Sequence, residues 1–186
     1  MQSEAIYIAL GANLPLGACS PRETLARARA ALDAAGLPVF AASSDWHSPA
    51  WPDPSDPPYV NAVVAVRSGR SARDILDTLH RIEADFGRER GVRNAPRPLD
   101  LDLIDCRGEQ FGAEDGLVIP HPRASQRAFV LLPLAEIAPN WCDPVSKRSI
   151  DALIEALPQA DRSATYKLQE AGKLSPDSLA FAGQGD

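Results

Sequence analysis

The sequence predicts an α+β fold in which an antiparallel sheet carries helices on one face, with helical additions towards the C-terminal end. Three observations predict it. Short apolar runs typical of strands alternate with two longer segments that have apolar residues at helical spacing. Each of those two segments begins at a serine that can cap a helix and ends at a glycine. The resulting order of elements is β-α-β-β-α-β, which suits a sheet of antiparallel strands.

The first half of this core contains two strands and one helix. Residues 4–10 (EAIYIAL) form the first predicted strand, and the GANL sequence that follows forms the turn that leaves it. Residues 20–23 (SPRE) are a capping box with proline in the first helical position, so they predict the start of a helix. The helix stops at Gly36, and a second strand covers 37–47.

The next three elements complete the predicted sheet. Residues 59–67 (YVNAVVAVR) form a third strand. Ser71 caps a second helix, whose apolar residues recur at helical spacing up to Gly87. Residues 99–105 form a fourth strand. The complete order is the ferredoxin-like βαββαβ plan, also described as a split βαβ arrangement.

Further elements are predicted after this core. Residues 109–119 are expected to pair as an edge segment. Residues 124–137 are expected to form a third helix that is broken near Pro133. A short final helix covers 149–157.

The length and composition predict one domain with a tail. The chain has 186 residues, of which 45% are hydrophobic, as is typical of one globular domain, and we place that domain at residues 1–160. Residues 161–186 contain glycine, serine and proline without clear periodicity, so they are expected to be poorly ordered. The three cysteines are odd in number and widely spaced, which favours reduced thiols over a disulfide framework or a zinc site.

Charge and hydropathy argue against two classes of partner. The net charge is −6, whereas a nucleic-acid-binding protein is expected to have a basic surface. No apolar run approaches the roughly 20 residues of a membrane span, and the first residues lack the basic start of a signal peptide. We therefore expect partners that are small molecules, not nucleic acid or membrane. We also expect the protein to be a cytoplasmic monomer.

The most informative segment is GRERGVRNAPRPLDLDLI, residues 87–104. Asp100 and Asp102 lie two residues apart on its predicted strand and therefore share one face, while the leucines beside them point into a core. Two neighbouring carboxylates repel, and a divalent cation relieves that repulsion. Mg²⁺ favours one or two carboxylates together with phosphate oxygens. The strand therefore predicts a polyphosphate bound through Mg²⁺.

An arginine cluster immediately before that strand supports a phosphate ligand. Four arginines fall within ten residues, at Arg88, Arg90, Arg93 and Arg97. Their planar guanidinium groups can bind phosphate oxygens in pairs. The aspartate pair and the arginines together predict a nucleoside triphosphate held by metal and arginine. The sequence contains no P-loop motif, so binding through a P-loop is excluded.

Other polar residues suit either the fold or a ligand. Asn61 lies on the Val- and Ala-rich third strand, on the same face as Tyr59, and is either a buried hydrogen-bonding node or a ligand contact. On the second helix, His80 and Glu83 share one face, which is usual for an exposed pair. His121 lies between two prolines in a constrained turn, where a lone histidine is more often structural than catalytic.

Five sequence blocks, in order, resemble the family of 6-hydroxymethyl-7,8-dihydropterin pyrophosphokinases, enzymes of folate biosynthesis. The blocks are YIALGANL, SSDWHSPAW followed by PPYVNAV, HRIEADFGRER, APRPLDLDLI and IPHPRASQRAFVLLPLAEIAP. The resemblance runs from about residue 5 to residue 140, and its P-R-x-x-D-x-D block is highly specific. It implies a ferredoxin-like core and transfer of a pyrophosphoryl group from ATP to the pterin hydroxymethyl oxygen, with release of AMP.

The resemblance also implies roles for individual residues. The catalytic residues would be Arg88, Arg97, Asp100 and Asp102. The two aspartates would be the ligands of two Mg²⁺ ions. The residues around ATP would be His80, Glu83, Arg90, Arg93, Leu103, Val118, His121 and Arg127. The pterin pocket would comprise Ser48, Pro49, Ala50, Trp51, Tyr59, Asn61 and Phe129.

Two other functions stay open at the level of sequence. A palm-type two-metal nucleotidyltransferase or cyclase also sets paired aspartates on a ferredoxin-like sheet, but it attacks the α-phosphorus and releases pyrophosphate. A non-catalytic ferredoxin-like binding module would keep the fold without the activity, although the intact aspartate pair and Arg97 argue against it. The product, AMP or pyrophosphate, distinguishes the two enzymes.

Overall fold

A computed structural model describes residues 4–50, 53–87, 97–113 and 116–169. Its strands are β1 (Ile6–Ala12), β2 (Val39–Ala42), β3 (Trp46–Ser48), β4 (Tyr59–Val66), β5 (Asp100–Cys106) and β6 (Tyr166–Lys167). Its α-helices are α1 (Pro21–Ala34), α2 (Ala72–Asp85), α3 (Ala128–Ile137), α4 (Ile150–Ala156) and α5 (Gln159–Ala164). The predicted order of strands and helices in the core is confirmed, with one strand divided into two.

The strands form one antiparallel sheet in the order β5-β1-β4-β3-β6, with β2 also paired to β4. Helices α1 and α2 pack on one face, where Leu25 and Leu79 join the buried apolar residues of β1. Helices α3 and α4 cover part of the other face, where Leu131 and Leu153 form a second buried cluster. The first two helices therefore share one face as predicted, and the C-terminal additions lie on the opposite one.

Local capping signals place the starts of α1 and α2. The Ser20 side chain accepts a hydrogen bond from the Glu23 backbone N–H, and the Glu23 carboxylate accepts one from the Ser20 backbone N–H. Ser71 caps α2 by accepting from the backbone N–H of Asp74. Both helices therefore start where the sequence predicts, because a polar side chain satisfies backbone donors that have no partner within the helix.

The predicted second strand, 37–47, is two strands in the structure. Both β2 and β3 pair with β4, but the chain between them bends at the polar residues 43–45. Ser43 stays bonded to β4 through Val63, whereas Asp45 turns to form ion pairs with Arg22 and Arg29 of α1. These tertiary ion pairs divide the strand, and a local apolar pattern does not reveal them.

The C-terminal part also differs from the sequence prediction. The predicted break near Pro133 is wrong, because α3 runs through this buried residue, and the interruption lies at Arg127, where the backbone is extended. A single 3₁₀ turn, Ala124–Gln126, precedes it. Of the predicted tail, residues 161–169 contain most of α5 and all of β6, and residues 170–186 lie outside the described residues. Within the described residues, no helix is long and apolar enough to cross a membrane.

Candidate active site

One cavity of about 560 Å³ lies on the face of the sheet that also carries α3. Its floor is formed by β1, β4 and β5, and its walls by the end of β3, the start of α3 and the chain around α5. The structure brings ten of the predicted site residues together in its lining: Ser48, Pro49, Ala50, Tyr59, Asn61, Arg97, Asp100, Asp102, Arg127 and Phe129. These residues come from distant parts of the chain, so the fold assembles the site.

The predicted alternation along β5 is confirmed. Leu101 and Leu103 are buried beneath α1 and α2, while the side chains of Asp100 and Asp102 are 28% and 33% exposed and line the cavity. The residues of β1 opposite this pair are Gly11 and Ala9. Because these neighbours are small, the space above both carboxylates stays open to a ligand.

Each carboxylate faces an arginine. The Arg97 Nη1 atom lies 3.2 Å from Asp100 Oδ1, and the Arg127 Nη1 atom lies 3.8 Å from Asp102 Oδ2. Burial lowers the pKa of Arg127 from its ordinary value, an effect that nearby Asp102 opposes. An arginine starts from so high a pKa that it stays protonated in a protein. The cavity therefore contains two arginine–carboxylate pairs.

The carboxylate pair suits a hard divalent cation that is completed by ligand oxygens. In the part of the chain that the structure describes, no three His, Cys, Asp or Glu side chains form a group able to hold a metal ion. Mg²⁺ does not need such a group, because it keeps several waters and binds through one or two carboxylates together with phosphate oxygens. The donor set and its opening into a cavity therefore fit Mg²⁺ bound with a phosphate ligand.

Asn61 is both a hydrogen-bonding node and a cavity residue. Its side chain is buried, and Nδ2 donates a hydrogen bond of 2.9 Å to Ser48 Oγ. Gly11 lies between Asn61 and Asp100 in the sheet register. A Cβ atom at Gly11 would lie 3.4 Å from Asn61 Oδ1 and 3.6 Å from the Tyr59 ring. The missing side chain thus leaves a flat floor beside an amide, which suits a planar heterocycle.

Asn13 connects the two loops that border the cavity. Its Oδ1 atom accepts a hydrogen bond of 3.0 Å from the Arg97 backbone N–H, and its Nδ2 atom donates one of 3.1 Å to the Pro57 carbonyl. Arg97 in turn lies close enough to Tyr59 to oppose the rise in the Tyr59 pKa that burial causes. A tyrosine phenol is protonated at neutral pH even at its ordinary pKa, so Tyr59 can donate a hydrogen bond.

Five of the predicted ATP contacts lie outside this cavity. His80 is exposed on α2, and Val118 is 42% exposed. Glu83 and Leu103 are buried, and the Glu83 carboxylate accepts a hydrogen bond of 2.7 Å from the Leu101 backbone N–H. His121 is half-buried, and burial lowers its pKa while nearby Asp102 opposes that effect. The predicted contacts of these five residues with ATP stay predictions.

Four further predicted site residues cannot be placed relative to the cavity. Trp51, Arg88, Arg90 and Arg93 lie outside the described residues.

Comparison with known proteins identifies the family. The family model described as 7,8-dihydro-6-hydroxymethylpterin-pyrophosphokinase matches residues 7–139, which is well over half of the chain. This chain belongs to that family. The match includes β1 through α3 and therefore nearly all of the floor and much of the wall of the cavity.

Individual relatives agree with the family match. A 2-amino-4-hydroxy-6-hydroxymethyldihydropteridine pyrophosphokinase from Synechocystis is 42% identical over 153 residues, covering 80% of this chain and 76% of that protein. One of the same name from Pseudomonas aeruginosa is 38% identical and covers 83% of this chain and 93% of that protein.

Solved structures confirm the ferredoxin-like α+β fold. The Plasmodium falciparum HPPK-DHPS structure superposes with a TM-score of 0.61 at 11% sequence identity. It covers 81% of this pyrophosphokinase, which in turn spans only 42% of that larger chain. At this identity the likeness supports the fold alone.

The structure adds to the candidate site of this pyrophosphokinase several residues that the sequence did not predict. Gly11, Arg123 and Thr165 line the cavity, and Asn13 supports it from behind. A glycine within an apolar strand is a sequence signal for close approach of a ligand, so Gly11 could have been found. No local signal marks Thr165, since its place in the site depends on the pairing of β6 with β3.

Proposed function

We propose that this pyrophosphokinase of folate biosynthesis binds its pterin and the phosphates of ATP together in the cavity described above. The pterin hydroxymethyl oxygen would attack the β-phosphorus of ATP, and the bond from that phosphorus to the α-phosphate oxygen would break. AMP leaves, and the hydroxyl proton passes to solvent. The observation that carries this proposal is the single cavity that joins an aspartate–arginine cluster to an amide-bearing pocket.

The phosphate end of the cavity contains two carboxylates, which suit Mg²⁺, and two arginines, which suit phosphate. Asp100 and Asp102 would hold two Mg²⁺ ions, which would neutralise phosphate charge and orient the reacting oxygens. Arg97 and Arg127 already face these carboxylates, so they are placed to bind the phosphates that arrive with the metal. Phosphoryl transfer depends mainly on such positioning, and a dedicated general base is not required.

The pterin end is formed by flat and amide-like groups. A pterin ring is planar and carries amide-like donors and acceptors along one edge, which the Asn61 amide can pair with. The Phe129 ring, with the Arg127 guanidinium 5.3 Å from its centre, borders the same space and can cover a face of the heterocycle. We also place the rest of ATP beyond the cavity, towards His121 and Val118, because the family resemblance implies those contacts.

We further propose that the enzyme works as a monomer in the cytoplasm. Its net charge of −6 disfavours nucleic acid as a partner. Both proposed substrates are small molecules.

The reaction is tested by incubating the protein with ATP, Mg²⁺ and 6-hydroxymethyl-7,8-dihydropterin and analysing the nucleotide product. We expect AMP to form only when the pterin is present. Pyrophosphate release would instead indicate a palm-type nucleotidyltransferase, and pterin binding without turnover would indicate a binding module.

Replacing Asn61 with alanine is expected to weaken pterin binding by roughly 1–3 kcal/mol, because buried polar groups then lose their partners. ATP affinity should change little, since Asn61 lies across Gly11 from the aspartates. Calorimetric titration with each ligand measures both effects. Asn140→Ala, a change at an exposed asparagine, is the control. A loss confined to ATP would place Asn61 on the nucleotide side.

Replacing Gly11 with alanine tests the floor of the cavity. The added methyl group makes only ordinary contacts with Asn61 and Tyr59, so the fold should be retained. It nevertheless occupies the space above the floor, and crowding of this kind should weaken pterin binding by roughly tenfold. Gly69→Ala is the matched control, since a Cβ atom there meets nothing within 4 Å. Unchanged pterin affinity in Gly11→Ala would show that the ligand does not lie on this floor.

A further inference from the structure

The segment formed by α5 and β6 lies beyond the family match, which ends at residue 139. Nevertheless, Asp161, Ala164 and Thr165 of this segment line the same cavity as Asn61 and Asp100. Thr165 is 6% exposed, so it is part of the closed wall and not of the outer rim. The C-terminal segment therefore completes the cavity from the side of β3.

The pairing of β6 with β3 shows which way its side chains point. Trp46 lies opposite Lys167, and His47 lies opposite Tyr166. The rings of His47 and Tyr166 stack at 4.5 Å on one face of the sheet. On the other face, Trp46 and Lys167 both contact the same glutamate of α3, Glu136, at 3.1 and 3.0 Å.

The same register brings Thr165 to the end of the cavity that contains Ser48 and Asn61. Thr165 precedes β6 and has an extended backbone (φ −106°, ψ 116°). Continuing the β3–β6 register by one residue therefore places Thr165 beside Ser48. Side chains alternate along a strand, so Thr165 and Ser48 share the face of Trp46, which is the face of the cavity. Ser48 in turn accepts the hydrogen bond from Asn61.

Contacts behind the segment hold it in place. The Leu168 backbone N–H donates a hydrogen bond of 2.8 Å to the Asp45 carbonyl, and Arg22 Nη1 donates one of 2.8 Å to the Gln169 carbonyl. Arg22 also forms an ion pair with the Asp45 carboxylate. The wall is therefore tied to α1 and to the chain before β3, and a group that is held in place by such contacts binds a ligand at lower entropic cost.

We propose that Thr165 is a substrate-binding and specificity-determining residue of this enzyme. Its hydroxyl extends the row of polar groups that begins at Asn61 and passes through Ser48, and this row receives the polar edge of the pterin ring. The inference rests on the proposed pterin site and adds to it a contact from the C-terminal segment. A hydroxyl can both donate and accept, so it suits a heterocycle edge that carries both kinds of group.

The test compares two variants of Thr165 in the full-length protein, by calorimetric titration with 6-hydroxymethyl-7,8-dihydropterin and, separately, with ATP and Mg²⁺. Thr165→Val keeps the shape but removes the hydroxyl, and we expect its pterin Kd to rise roughly three- to tenfold, as for one lost hydrogen bond. Thr165→Ser keeps the hydroxyl and should bind the pterin nearly as the wild type does. ATP affinity should be unchanged in both.

Ser163→Ala is the matched control, because it removes an exposed hydroxyl from the same segment. An unchanged pterin Kd in Thr165→Val would overturn the inference. An equal loss in the valine and serine variants would also overturn it, because the methyl group and not the hydroxyl would then matter. Failure of the wild type to bind the pterin would instead contradict the proposed function itself, so the two failures are distinguishable.

Discussion

Replacing Asp102 with asparagine is expected to lower kcat by on the order of 10³-fold, as is found when a main electrostatic stabiliser of a transition state is removed. Asparagine keeps the size and one oxygen of the side chain but loses the negative charge that would hold Mg²⁺. The fold should be retained, because the Asp102 side chain is 33% exposed and its leucine neighbours, not Asp102 itself, form the core. Steady-state assays of AMP formation at saturating Mg²⁺ measure the effect.

The control for this change is Asp151→Asn, at an exposed aspartate of α4. It removes the same charge from the whole protein without touching the cavity, so activity should be that of the wild type. Asp100→Asn should resemble Asp102→Asn. Near-normal turnover in a folded Asp102→Asn enzyme would refute the assignment of this pair to the metal.

Replacing Arg97 with lysine is expected to lower kcat roughly 10²-fold while the KM for the pterin changes little. Arg97 lies 3.2 Å from Asp100 and close to Tyr59, and its planar group can bind two oxygens at once. Lysine keeps the positive charge but lacks the planar, two-pronged donor group of arginine. The loss of kcat therefore measures the contribution of hydrogen-bond geometry more than that of charge. Because the Arg97 backbone stays bonded to Asn13, the loop should keep its position.

Arg67→Lys is the matched control for this second variant. Arg67 stacks on the exposed Phe40 ring, 4.3 Å from its centre, and takes no part in the cavity lining. A lysine at 97 that supported wild-type kcat would show that Arg97 supplies only charge. A large rise in the pterin KM with unchanged kcat would instead assign Arg97 to substrate binding.

The structural features that the sequence predicted correctly are those with a cause nearby in the chain. The caps at Ser20 and Ser71 and the alternation of aspartate and leucine on β5 depend on residues within a few positions of one another. These features were predicted correctly. The division of the second strand was not, because Asp45 turns away to pair with Arg22 and Arg29 of α1, a tertiary contact.

The structure of the C-terminal segment also depends on tertiary contacts that the local sequence does not reveal. Residues 161–169 have no periodicity of their own, and their order comes from β3, from Glu136 and from Arg22. Likewise, α3 continues through Pro133, which is buried in the structure. In both places the packing of distant residues outweighs the local preference of the chain.

By itself the sequence determined the order of the core elements and the chemistry of β5, because the alternation of a strand turns two spaced aspartates into a pair on one face. Only the tertiary structure decided which groups stand opposite that pair. Strand register aligns Asn61, Gly11 and Asp100 across three strands, and the pairing of β6 adds Thr165 from a distant part of the chain. Register depends on hydrogen bonds and packing between strands that are far apart in sequence, and no pattern within one strand records which residue of another will lie beside it.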